Sequence, residues 1–235
     1  MSESAPRKRL LRDRWASRQL LKVLPLPVVQ AVRYELELAV VRTSNRAARR
    51  RYRDSRALLI NIGCGPEGVD GWVNVDSARR PGVTCVYDAR RDLPFPDGSA
   101  RGIFSEHFLE HLDYYDEAPR LLADCWRVLQ PGGVLRIIVP DAEQYFNAYM
   151  ADGWEAMRKL RGCGDFRTKM EVVNEVFRQG IQHKFAYDYE TMAELCRRAG
   201  FSRVERAAFQ RSSMPELAID QPRRAAESLY VEATK

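Results

Sequence analysis

The chain has no apolar run approaching the roughly 20 residues that cross a bilayer. Its best stretch, residues 20–32, is broken by Lys22, Pro25, Pro27 and Gln30. Nor does it open on a clean apolar segment with a small-residue cleavage site, so no secretory signal is expected. The five cysteines, Cys64, Cys85, Cys125, Cys163 and Cys196, are odd in number and form no Cys-x-x-Cys pair. That argues against a disulfide framework or a cysteine zinc site and makes a reducing cytoplasm the expected compartment. Histidine is scarce: His107, His111 and His183 are the only three. Repeats and low-complexity tracts are absent too, which leaves a chain of 235 residues with room for one large domain and an appendage.

Charge is present but uneven. The whole chain carries +6, yet residues 1–56 hold 15 basic against 5 acidic side chains, so the remainder is net acidic. This break predicts a basic helical appendage over 1–56 and a main domain over 57–235. Within the appendage Trp15, Leu20, Leu21, Val28, Val29, Val32, Leu36 and Ala39 recur at helical spacings, and Arg46-Ala47-Ala48-Arg49-Arg50-Arg51 forms a charged hinge. One reading is a helix packed on the main domain with a solvated basic face. The other is peripheral contact with an anionic membrane, where each Lys or Arg contributes about 1 kcal/mol. No nucleic-acid reading motif accompanies the charge, and nucleic acid is not the expected partner.

From residue 57 the pattern becomes strand, turn, strand. Apolar runs at 58–62, 72–75, 83–87, 102–105 and 134–139 read as strands, and amphipathic periodicity at 118–129 and 189–199 reads as helices. Two further strands are expected at 203–209 and 228–234, with a helical lid at about 141–189. Such a mixture implies an α/β fold: an open, mostly parallel seven-stranded sheet with helices on both faces and an antiparallel last strand. Ligands of such sheets sit at the carboxyl ends of the strands.

The first apolar run ends in Asn61-Ile62-Gly63-Cys64-Gly65-Pro66-Glu67-Gly68, and the second ends in Asp76. Glycines at Gly63, Gly65 and Gly68 satisfy G-x-G-x-x-G, a pattern that suggests a dinucleotide. The interval argues otherwise. A dinucleotide fold places its ribose-binding acid about 20 residues on, after a complete helix. Here Asp76 follows closely, and Pro66, Gly68 and Gly71 leave no room for that helix. A nucleoside without a pyrophosphate suits the loop better.

Four blocks in order, Ile62-Gly63-Cys64-Gly65, Val75-Asp76, Tyr87-Asp88 through Ser99, and Ser105-Glu106-His107-Phe108-Leu109-Glu110-His111-Leu112, resemble the class I S-adenosylmethionine-dependent methyltransferases of the type 11 branch. Gln130-Pro131-Gly132-Gly133 and Ala199-Gly200-Phe201 extend the resemblance over most of 57–209, with a Rossmann-like fold implied. It implies S-adenosyl-L-methionine as cofactor, with the Gly63–Gly65 loop under its methionine part and ribose. Asp76 would accept from the ribose hydroxyls, and Asp88 and Ala89 would meet adenine. Ser105 and Glu106 would flank the methionine end, and Asn61, Cys64 and Ser77 complete the implied set. Asn61 stands where many relatives carry an acid. For Asp76 and Asp88, a turn- or loop-capping role is the competing reading.

Methylation of an alcohol needs a proton acceptor. His183, in Gln182-His183-Lys184, and then His107 are the candidate catalytic bases; packing and hydrogen-bonding roles compete with that reading. His107, Glu110 and His111 could share one helical face. Some related methyltransferases bind a divalent metal through a Glu/Glu/His set in this block, but a histidine replaces the first glutamate here and no metal is expected. The resemblance extends to branches acting on polysaccharides and surface glycans, so the leading expectation is O-methylation of a sugar or glycan precursor. Small-metabolite or protein N/O-methylation, or a non-catalytic nucleoside-binding partner protein, are the alternatives.

Overall fold

The computed structural model describes residues 23–160 and 166–235, which fall into two compact units, one ending at Thr43 and one running from Ser44 to Lys235. In the first, helix α1 (Leu26–Arg42) begins at a proline pair, where a missing N–H is harmless. Its Arg33–Glu37 ion pair spans 2.9 Å across one turn. Val28, Val32, Leu36 and Val40 recur every four residues along α1 and are all exposed. Trp15, Leu20, Leu21 and Cys163 lie outside the described residues.

The second unit starts earlier than the charge break. Helix α2 (Asn45–Tyr52) holds the arginine run and belongs to it. Tyr52 packs edge-on to Phe95 with ring centroids 5.0 Å apart, and Arg51 donates to the Thr84 carbonyl at 3.1 Å. The run is therefore partly tied to the sheet and is not a free hinge.

Seven strands follow: β1 (Leu58–Ile62), β2 (Val73–Asp76), β3 (Cys85–Val86), β4 (Ala100–Glu106), β5 (Leu129–Pro140), β6 (Arg203–Arg206) and β7 (Ser228–Thr234). They form one sheet in the order β3-β2-β1-β4-β5-β7-β6. All neighbours from β3 to β5 pair parallel, while β7 runs antiparallel between β5 and β6. The last strand is antiparallel as expected. The third strand is shorter than the sequence suggests, because it is an edge strand with one neighbour.

Helix α3 (Glu117–Val128) buries Ala118, Leu121, Leu122, Cys125 and Val128 at helical spacing, the apolar stripe that seats it on the sheet. Helix α7 (Tyr189–Arg198) does the same with Met192, Ala193, Leu195 and Cys196. Between them, α4 (Ala142–Met150), α5 (Glu155–Leu160) and α6 (Lys169–Arg178) enclose a small core of Tyr145, Ala148, Met157, Val172, Val173 and Val176. No helix joins β1 to β2. Two buried amides hold that crossover instead: Asn74 exchanges bonds with Val69 N–H and C=O at 3.0 and 2.9 Å, and Asn61 Nδ2 donates to the Glu67 carbonyl at 3.1 Å. Among the described residues no helix is long and apolar enough to cross a membrane.

Candidate active site

The β1 strand ends by turning under its neighbour: Gly63 and Cys64 N–H both donate to the Val75 carbonyl, at 2.9 and 3.2 Å. Gly63 has φ +71°, and a Cβ there would fall 2.6 Å from Phe108 Cβ, so only glycine fits. Gly65 N–H donates to Asp76 Oδ2 at 2.9 Å, and Ala78 N–H to Oδ1 at 2.7 Å. The acid at the tip of β2 thereby shapes the loop, and each oxygen keeps a lone pair for a further donor. Burial, and the Asp76 charge beside it, push the Cys64 thiol up to about 12, so it is a thiol and not a nucleophile.

A cavity of about 180 Å³ opens beside this loop. Of the sequence-expected cofactor residues, Asn61, Gly63, Cys64, Gly65 and Glu106 line it, together with His107. Phe104 and Glu106 reach it from one face of β4, as period-two alternation requires, which turns Ser105 to the other face. Ser105 is buried with its Oγ unpartnered. Burial pushes the Glu106 carboxyl up, against the Gln221 N–H that donates to it at 3.0 Å. Asp76, Ser77, Asp88, Ala89 and Ser105 do not line this cavity. Asp88 is buried and gripped by Arg90, Nε to Oδ1 at 3.0 Å and Nη2 to Oδ2 at 3.2 Å, which gives its carboxylate a structural partner.

A second cavity, about 300 Å³, shares His107 and Arg224 with the first. It brings together all three histidines with Glu110 and Glu227. His107 sits just past β4 at φ +51°, a left-handed conformation rare for a side-chain-bearing residue and found at functional sites. Glu110 and His111 follow on a single 3₁₀ turn, Leu109–His111, while His183 comes from the segment after α6. His111 and His183 meet edge to face at 4.7 Å. Burial alone pushes the Glu110 carboxyl up, but the surrounding imidazoles of His107, His111 and His183 outweigh it and hold the carboxyl below its ordinary range. Burial pulls His183 down, so it is neutral at physiological pH.

Sequence reasoning missed the segment at 219–224, whose Ile219, Gln221, Arg223 and Arg224 wall the first cavity. Arg223 pairs with Glu67 of the glycine loop at 2.9 Å. Nothing periodic marks this stretch; Asp220, buried against Arg136 of β5, anchors it together with the Gln221 and Arg223 bonds, and those pairings are invisible before folding.

Residues 60–137 match the family model described as "Methyltransferase domain". Over 64 residues the chain is 36% identical to a "Probable S-adenosylmethionine-dependent methyltransferase" of Mycolicibacterium smegmatis. That stretch covers 27% of this chain and spans only 24% of the relative's length. The crystal structure of a SAM-dependent methyltransferase from Archaeoglobus fulgidus aligns over 85% of this chain and 94% of its own, with TM-score 0.50 and 18% identity, a likeness of fold. Residues 60–137 thus match a methyltransferase domain, and the chain as a whole shares its fold with a solved SAM-dependent methyltransferase.

Proposed function

We propose that this protein methylates a hydroxyl of a sugar or glycan precursor. One observation carries the reading: the glycine-loop cavity and the histidine cavity share His107 and Arg224, and the second is walled mainly by polar and ionisable side chains. Such a lining suits an acceptor rich in hydroxyls. The left-handed glycine and the carboxylate of Asp76 fit the expected cofactor, since Asp76 keeps accepting capacity beyond its two loop bonds.

In this reading the Gly63–Gly65 loop carries the ribose and methionine part, with Asn61 and Cys64 beside it. Asp76 accepts from the ribose, flanked by Ser77; Asp88 and Ala89 take the adenine, Asp88 sharing its charge with Arg90. Glu106 bounds the methionine end, while Ser105 points to the other face of β4. Bound S-adenosylmethionine supplies an electrophilic methyl group on a sulfonium. The protein's own share is alignment, which contributes several kcal/mol, and removal of the acceptor proton by His183 or His107. The His183 ring donates through Nδ1 to the Val176 carbonyl at 2.5 Å, leaving Nε2 free to accept.

We also assign the protein to the cytoplasm and to transient contact with an anionic membrane through residues 1–56. The buried free thiols of Cys64, Cys85, Cys125 and Cys196 support a reducing compartment, and the exposed stripe Val28, Val32, Leu36, Val40 supports the contact.

The test is transfer of labelled methyl from S-adenosylmethionine to a panel of sugar nucleotides, glycolipids, small amines and proteins. Label on a sugar oxygen is the expected result; label only on amines or protein would replace this reading with the small-metabolite or protein one. No binding of S-adenosylmethionine or S-adenosylhomocysteine by the folded chain would remove methyl transfer itself. Asp76→Ala is expected to weaken that binding by about 10–100-fold, the loss of charged hydrogen bonds worth about 1.5–3 kcal/mol.

A further inference from the structure

We propose that Glu110, His111 and His183 bind a divalent transition-metal ion at the acceptor side of the site. The proposal rests on where the protons are. His183 Nδ1 lies 2.5 Å from the Val176 carbonyl oxygen and His111 Nδ1 lies 3.2 Å from that of Gln182. A carbonyl only accepts, so each Nδ1 carries its ring's proton and each Nε2 holds a lone pair. His107 is fixed the other way round. The Ser228 hydroxyl donates to the Arg224 carbonyl at 2.8 Å, so His107 Nε2–H donates to Ser228 Oγ at 2.9 Å and Nδ1 keeps the lone pair.

Those lone pairs meet a carboxylate. His107 Nδ1 is 3.3 Å and His183 Nε2 4.0 Å from Glu110 Oε1. Glu110 is 1% exposed, and neither of its oxygens has a hydrogen-bond partner. Unless His107 carries a second proton at Nδ1, this buried carboxylate faces only acceptors, which is strongly unfavourable. A cation among them would meet those acceptors. One ligand atom from each of Glu110, His111 and His183 already lies within 4.8 Å of the others. On a bound ion with ligands at about 2.0–2.2 Å such atoms sit about 3–4 Å apart, so only the side-chain ends need to close in.

The chemistry of the set selects the ion. Two imidazoles, each oriented by an Nδ1–H bond to a backbone carbonyl, and one carboxylate favour zinc, cobalt or iron(II) over magnesium. Three protein ligands leave coordination open toward the 300 Å³ cavity. An acceptor hydroxyl bound there becomes more acidic, and its proton passes to His107 Nδ1, the lone pair not used for ligation. This role rests on the methyltransferase reading; metal binding itself does not. The sequence argued against a metal because a histidine replaces the first glutamate in the 107–111 block; His183, 72 residues beyond His111, lies outside that block.

Full-length protein stripped with a chelator and titrated with Co²⁺ tests the site. Expected is one Co²⁺ per chain with visible d–d absorption, displaced by Zn²⁺. Glu110→Gln and His183→Ala should each weaken Co²⁺ binding at least about 100-fold, with S-adenosylhomocysteine binding by calorimetry kept within about 3-fold. If either buried variant misfolds, the half-exposed His111→Ala gives the same readout. Folded chain that binds neither ion stoichiometrically, or binding unchanged in these variants, overturns the proposal. Metal bound through these residues, with label transferred only to amines, would support the ion site and remove the hydroxyl acceptor instead.

Discussion

At the scale of single residues, the glycine loop is decided by two side chains and one missing one. Gly63 combines φ +71° with a Cβ position occupied by Phe108. Gly63→Ala is expected to destabilise the fold by about 1–3 kcal/mol through strain and overpacking, and to weaken S-adenosylhomocysteine binding; urea unfolding and calorimetry read the two effects. Asn61 has a structural role of its own, since its amide donates to the Glu67 carbonyl and pins the crossover. Asn61→Asp replaces that donor with an acceptor facing a carbonyl and should cost about 1–3 kcal/mol in urea unfolding. The glycines and Asp76 were legible in the chain because φ > 0 and a short interval restrict residue choice locally. The grip of Arg90 on Asp88 was not, because nothing in a sequence says which of many arginines will reach a given acid.

At the scale of elements, strand and helix identities followed from periodicity, and so did the ends of helices with one clean apolar face. Helix α3 and helix α7 fall within a residue or two of their expected spans because each carries one clean apolar face. The basic run read as a hinge is instead helix α2, since Tyr52 anchors it edge-on to Phe95, a partner 43 residues away. Asp141, at the end of β5, caps α4: its Oδ1 accepts from Glu143 N–H at 3.0 Å and Oδ2 from Gln144 Nε2 at 2.9 Å. Asp141→Ala should cost about 1–2 kcal/mol, and hydrogen exchange should rise in α4 before it rises in the sheet.

At the scale of the whole molecule, β5 is tied to the segment that walls the glycine-loop cavity by a buried ion network. Arg136 is fully buried and bonds Asp220 at 2.7 and 2.5 Å and Glu232 at 2.9 Å. Arg136→Met leaves two buried carboxylates unpaired and is expected to cost about 3–5 kcal/mol. Glu232 sits below its ordinary 4.5: burial raises it, but the Ser212, Ser213 and Arg136 bonds outweigh burial. Its contribution is therefore complete above pH 4.5 and is lost as pH falls through the lower folded value. Urea midpoints measured down to that range should fall more steeply for the native chain than for Glu232→Gln. In the first unit, Val32→Asp with Leu36→Asp on α1 should reduce co-sedimentation with anionic vesicles while leaving cofactor binding unchanged; equal sedimentation would reject the membrane contact.

The fold and a glycine loop suited to a nucleoside were already contained in the order of residues, because a left-handed glycine turn, a nearby acid and alternating apolar runs are constraints between neighbours. The gathering of His107, Glu110, His111 and His183 around one cavity depended on the fold, as did the wall built from residues 219–224. Those groups come from separate segments, and only the packing of the sheet with its crossovers brings their lone pairs to one point.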